Sequence, residues 1–140
     1  MSTVPDAYSP RVLGHFAQPV HAGDLQARYP VEARGEATEA GGGCQILLTA
    51  GTEGNAFREV RHRVLGCPHL IAAAEELCCR AEGQPVDAPA LFDRSELMAV
   101  LDVPVEKSGR ILLLEDAWQA LCRALKRSAG RATEATDDQR

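Results

Sequence analysis

The stretch that most restricts how this chain can fold is Leu65-Gly66-Cys67-Pro68-His69-Leu70-Ile71-Ala72-Ala73-Ala74, where one structural period gives way to another. Upstream, Arg58 to Leu65 reads as extended. Downstream, Leu70, Ile71, Ala74, Leu77 and Cys78 recur at helical spacing. Pro68 suits the first helical position, because its missing N–H would be unpaired there anyway. Cys67 then occupies the N-cap. Its sulfur faces unpaired backbone N–H groups and the positive end of the helix dipole, a setting that favours the thiolate, the form that binds metal or attacks sulfur. The alternative is a small apolar residue at a strand–helix corner, since free Cys is among the most buried residue types.

The chain has 140 residues, enough for one domain with a modest core. Aromatics are only 4 %, so that core is aliphatic. A net charge of −5 without a basic run argues against nucleic acid or an anionic membrane as partner. No basic segment with a following apolar run marks a secretory leader, and no apolar run is long enough to span a bilayer. A cytoplasmic location is therefore expected. The five cysteines, Cys44, Cys67, Cys78, Cys79 and Cys122, are odd in number and include no C-x-x-C pair. A disulfide framework or zinc ribbon is not expected, and any thiol chemistry must converge through the fold.

The rest of the chain predicts an α+β fold: an N-terminal helix, a three-stranded antiparallel sheet, then three or more helices packed on the sheet. Tyr8 to Phe16 forms the first helix, with Ser9 as N-cap and Pro10 at the first position. Gln18 to Asp24 is a loop. Val31 to Thr38 is a weak edge strand and Cys44 to Ala50 a stronger one, separated by Gly41-Gly42-Gly43. Gly51 to Asn55 is a hairpin loop before the return strand. Helices follow from Pro68 to about Ala81, from Pro89 or Ala90 to Leu101, and from Arg110 to Lys126. Residues 1–127 form the single domain, and 128–140 a polar tail expected to fray.

Three stretches, in order along residues 8 to 126, resemble the U-type iron–sulfur cluster scaffold proteins, the IscU and NifU N-terminal family. They are Tyr8-x-x-x-Val12-x-x-His15-Phe16-x-x-Pro19-x-x-x-Gly23-x-Leu25, then Gly66-Cys67-x-x-x-Ile71-Ala72, then Leu101-Asp102-Val103-Pro104 with Glu115-Asp116-Ala117. The resemblance implies a binding and carrier protein rather than an enzyme. It implies a nascent [2Fe-2S] cluster, iron or zinc held by three cysteines with an aspartate or histidine nearby. Implied partners are a cysteine desulfurase, another scaffold or an apo-protein acceptor.

This sequence keeps only part of that ligand set. Cys67 matches the central cysteine. The family's Cys-Gly-Asp turn reads Gly42-Gly43-Cys44 without a gap, and a two-residue slip returns Cys44 to the cysteine slot. The His-Cys pair before the last helix reads Gly109-Arg110, and a guanidinium has no lone pair to give. The Leu-Pro-Pro-Val-Lys segment that some members offer to a chaperone reads Val103-Pro104-Val105-Glu106-Lys107.

The candidate cofactor-binding residues are Cys67 and Cys44, with His69, two positions after Cys67, as a further metal ligand. Cys78 and Cys122 are expected in the core and Cys79 is read as incidental. Arg110 reads as a solvated loop charge in preference to a fixed cation at a former ligand position. Three roles stay open: a scaffold-like carrier, a single-thiol persulfide relay through Cys67, and a docking module for a desulfurase or a complete scaffold.

Overall fold

The computed structural model describes residues 10–87 and 92–138, apart from the side chains of 13, 16 and 129–138. Helix α1 (Pro10–Ala17) leads into three strands, β1 (Val31–Thr38), β2 (Gln45–Glu53) and β3 (Ala56–Leu65). They pair antiparallel in the order β1-β2-β3, the predicted meander. Helices α2 (Pro68–Ala81), α3 (Arg94–Leu101) and α4 (Ser108–Asp138) follow, with a short 3-10 turn (Val105–Lys107) before α4.

Local chemistry explains the boundaries. The β2–β3 hairpin turns on two residues, Gly54 and Asn55, both at φ +62. That left-handed pair matches the twist of the flanking strands, so β2 runs on to Glu53 through what the sequence suggested was loop. Asp93 caps α3, its carboxylate accepting the Glu96 N–H at 2.9 Å. This cap sets the helix start later than the predicted Pro89 or Ala90, and residues 88–91 lie outside the described residues. The expected Tyr8 and Ser9 of the first helix lie outside them too. Helix α4 continues past Lys126 to Asp138, although this stretch mixes Gly130, Thr133 and Thr136, weak helix formers, with its alanines and arginines.

Along β2, Ile46, Leu48, Ala50 and Thr52 form one continuously buried face. Phe57 and Trp118 meet with ring centroids 5.5 Å apart, tying the sheet to α4. Helix α4 lies so close on β1 that a Cβ at Gly35 would stand 2.3 Å from the Ala117 carbonyl oxygen. Only glycine permits that approach. Helix α2 is buried on nearly every side, including its acids Glu75 and Glu76. Glu76 ties α1 to α2, accepting from Arg11 Nε at 3.1 Å and Arg80 Nε at 3.1 Å and lying 2.9 Å from His15 Nε2. This fold brings the β1–β2 turn, the start of α2 and the first turn of α4 to one place.

Candidate functional site

Cys67 is the N-cap of α2, with Pro68 beginning the helix and extended backbone at φ −68 and ψ 138. No side chain caps this end, and the thiol is part-exposed. Gly66 makes the turn at φ +132. A Cβ at Gly66 would lie 2.6 Å from Cys44 Sγ, so glycine is required both by its φ and by the sulfur against it. Cys44, 3 % exposed, therefore packs its thiol against the residue that precedes Cys67. The Glu39 N–H donates to the Cys44 carbonyl at 2.8 Å and closes the β1–β2 turn. Gly42 lies within that turn at φ +77, a conformation that disfavours any L side chain.

His69 is buried, and its Nδ1 is 3.6 Å from Cys67 Sγ. Burial and the nearby Lys107 cation both push its pKa below the ordinary histidine value.

Arg110 is not a solvated loop charge. It stands in the first turn of α4 with its side chain 26 % exposed, and Nη1 donates to Glu39 Oε2 at 2.5 Å. Its Nε is buried with no hydrogen-bond partner among the described residues. Burial alone would weaken this cation. The negative charge offered by Cys44, Glu39 and Cys67 outweighs burial and raises its pKa, with the guanidinium in reach of the Cys67 sulfur. The resemblance sets Arg110 where the family has a cysteine. It did not reveal the Glu39 contact, which joins residues 71 positions apart.

The site thus sets Cys44 and Cys67 beside the Arg110 cation, with His69 against Cys67 on the side of Lys107. Their ligand atoms do not form a trio within 4.8 Å of one another among the described residues. The trio that does is His21, Glu75 and Cys79, farther along α2. Here Glu75, 1 % exposed, accepts from the His21 N–H at 2.9 Å and pairs with His62 Nε2 at 3.0 Å. His21 reaches Glu75 through Nδ1 at 2.5 Å and Glu82 through Nε2 at 2.9 Å. His21 was read only as part of a loop and Cys79 as incidental. The available signal was Glu75 itself: an acid among the apolar positions of a helix must be paired inside.

Cys78 is in the core as expected, and burial pushes its thiol pKa far up. Cys122 is half-buried, also with a raised pKa from burial.

A profile of the NifU-like N-terminal domain matches residues 7–135. The chain is 32 % identical over 121 residues to the bifunctional protein NifU/MnmA of Rubrobacter xylanophilus, spanning 84 % of this chain and 24 % of that one. It is 24 % identical over 115 residues to the mitochondrial iron sulfur cluster assembly protein 1 of Kluyveromyces lactis, spanning 81 % of this chain and 64 % of that one. The chain thus spans less than two thirds of each of these relatives. Its fold is similar to that of a protein assigned as an iron–sulfur cluster assembly scaffold for the SUF system of Fervidobacterium islandicum AW-1. The TM-score is 0.65 at 17 % identity, covering 86 % of this chain and 98 % of that one. The N-terminal NifU-like protein of Brucella abortus gives a TM-score of 0.61 at 17 % identity, covering 92 % and 99 %. No helix among the described residues is long and apolar enough to cross a membrane. With the profile running through residues 7–135, nearly the whole chain, this protein belongs to the NifU-like N-terminal domain family.

Proposed function

We propose that this chain serves iron–sulfur cluster assembly as a scaffold-like carrier rather than an enzyme, with Cys67 as its sulfur acceptor and Cys44 as the neighbouring thiol. The observation that carries this reading is the placement of a part-exposed, uncapped Cys67 at the start of α2 beside His69 and the Arg110 guanidinium. An N-terminal helix end and a fixed cation both attract anions. The partner is a cysteine desulfurase in the cytosol, where thiols stay reduced. The product passes to another scaffold or to an apo-protein.

The family's cargo is a [2Fe-2S] cluster, iron or zinc. With Arg110 at the third cysteine position, a single chain offers two thiols and a cation there. This set suits sulfur better than metal, because a guanidinium repels a metal ion and donates no lone pair. Arg110 therefore favours a second, narrower reading: a persulfide relay through Cys67. The Cys67 thiolate attacks the terminal sulfur of the donor persulfide, a new S–S bond forms, and the donor cysteine departs as thiolate.

The test combines the protein with a desulfurase and free cysteine and reads persulfides by mass spectrometry. Loading on Cys67, abolished by Cys67→Ser without unfolding, is the expected result. Ser is a good N-cap, so the helix start tolerates it. Loading on Cys44 would move the acceptor to the glycine turn. No loading on any thiol, with desulfurase binding intact, would leave a docking module in its place.

A further inference from the structure

We propose that His21, Glu75 and Cys79 form a divalent metal site, best matched to zinc, separate from the Cys67 site. The ligand atoms are His21 Nδ1, Glu75 Oε2 and Cys79 Sγ, which lie within 4.8 Å of one another. The loop before β1 supplies the histidine, and one face of α2 supplies the other two at i and i+4.

The spacing fits tetrahedral coordination. Bonds of about 2.3 Å to sulfur and about 2.0–2.2 Å to nitrogen and oxygen set ligand–ligand edges of about 3.4–3.6 Å. Cys79 Sγ lies 3.7 Å from His21 Nδ1 and 3.6 Å from Glu75 Oε2, close to two of those edges. The third edge, His21 Nδ1 to Glu75 Oε2, is 2.5 Å because a proton is shared there. Replacing that proton with a metal requires this edge alone to open, by about 1 Å.

The surroundings supply independent support. His21 Nε2 pairs with Glu82 Oε1 at 2.9 Å, the carboxylate–histidine arrangement that orients a ligating imidazole. The other oxygen of Glu75 is fixed by His62 Nε2 at 3.0 Å and by the His21 N–H at 2.9 Å, leaving Oε2 to the site. Cys79 is exposed, so a fourth position opens to water. Without metal, burial and the Glu75 charge push the Cys79 thiol up to about 11, so it is chemically quiet. On binding, the dication displaces the Nδ1 proton of His21 and the thiol proton of Cys79 to solvent. The resulting thiolate and Glu75 balance its charge.

Cobalt(II) serves as the spectroscopic probe, titrated into the Cys44→Ser/Cys67→Ser chain so that the other site contributes no thiolate. One equivalent should bind with a thiolate-to-cobalt charge-transfer band and the visible bands of tetrahedral cobalt, and zinc should displace it. Adding Cys79→Ser should remove the charge-transfer band and weaken binding by about tenfold or more. His21→Gln, with the thiol intact, should weaken it comparably. Circular dichroism confirms that each variant is folded. No charge-transfer band in the first chain, a band that survives Cys79→Ser, or unchanged affinity in His21→Gln each overturns the site.

Discussion

The two ends of α2 carry the same pair of groups in opposite electrostatic settings. At its start, Cys67 Sγ lies 3.6 Å from His69 Nδ1; in its last turns, Cys79 Sγ lies 3.7 Å from His21 Nδ1. In the first pair the thiol faces the Arg110 cation and the imidazole feels Lys107. The second sits between Glu75 and Glu82. Both arrangements run against the helix dipole, which favours anions at the start and cations at the end, so each rests on tertiary packing. His69 has a pKa depressed by burial and by Lys107; that of His21, which burial would lower, is raised by its hydrogen bonds to Glu75 and Glu82. A thiol and an imidazole in contact do not define a chemistry by themselves. The third charge decides whether the pair receives an anionic sulfur or a cation.

The largest effect expected is on stability. Glu75→Ala leaves His21 and His62 without their buried carboxylate, and loss of one partner from such a pair costs about 3–5 kcal/mol. Glu75→Gln keeps an acceptor and should cost about 1–3 kcal/mol. Arg110→Ala breaks the pair with Glu39, whose side chain is 34 % exposed, and the contact with the part-exposed Cys67, so about 0–1 kcal/mol is expected. Urea denaturation ranks the three. If Arg110→Ala proves as costly as Glu75→Ala, the contrast between a part-exposed ion pair at one end and a fully buried carboxylate at the other is wrong.

A gain of binding sharpens the comparison further. Arg110→Cys replaces the cation with a third thiol beside Cys44 and Cys67. In a Cys79→Ser background this change should raise cobalt(II) affinity by about tenfold or more, with thiolate charge-transfer absorption. Without a gain, something other than Arg110 keeps metal from the start of α2.

Much of the first end was legible in the sequence because its signals are local. Pro68 after Cys67, the glycines at 41–43 and Gly66 each act through their own backbone, so the turn, the strands on either side and the helix start could be read directly. The β1 boundaries and the end of α2 before Gly83 follow in the same way. The role of Arg110 was not legible, because its partner Glu39 is fixed by the packing of α4 on β1. The second end was missed altogether. His21 and Glu75 are 54 positions apart, and a short parallel bridge from Ala22 to His62 brings the loop to β3. Neither residue belongs to a motif. Position on the helix alone marks Cys79 as incidental, because the loop residue His21 beside its sulfur is distant in sequence.

The smallest effect is the order in which the histidines lose their protons. Burial alone would lower the His21 pKa, but its hydrogen bonds to Glu75 and Glu82 outweigh burial and raise it. For His62, burial dominates over the Glu75 hydrogen bond, and its pKa falls. His69 falls through burial and Lys107. With rising pH, imidazole NMR signals should therefore show His69 and His62 titrating below the ordinary value of 6.5 and His21 above it. The sign for stability follows. His21 holds its proton more tightly when folded, so its contribution is complete below about 6.5 and fades as pH rises through its raised pKa. His62 and His69 bind protons more readily in the unfolded chain, so their influence runs the other way: stability falls as pH drops from about 6.5 through their lowered pKa values. His21→Gln should therefore remove the part of the stability loss seen above neutrality and leave the low-pH limb to the other two histidines. If His21 gives up its proton before His69, the carboxylates do not govern the far end of α2, and the two ends differ in sequence but not in charge.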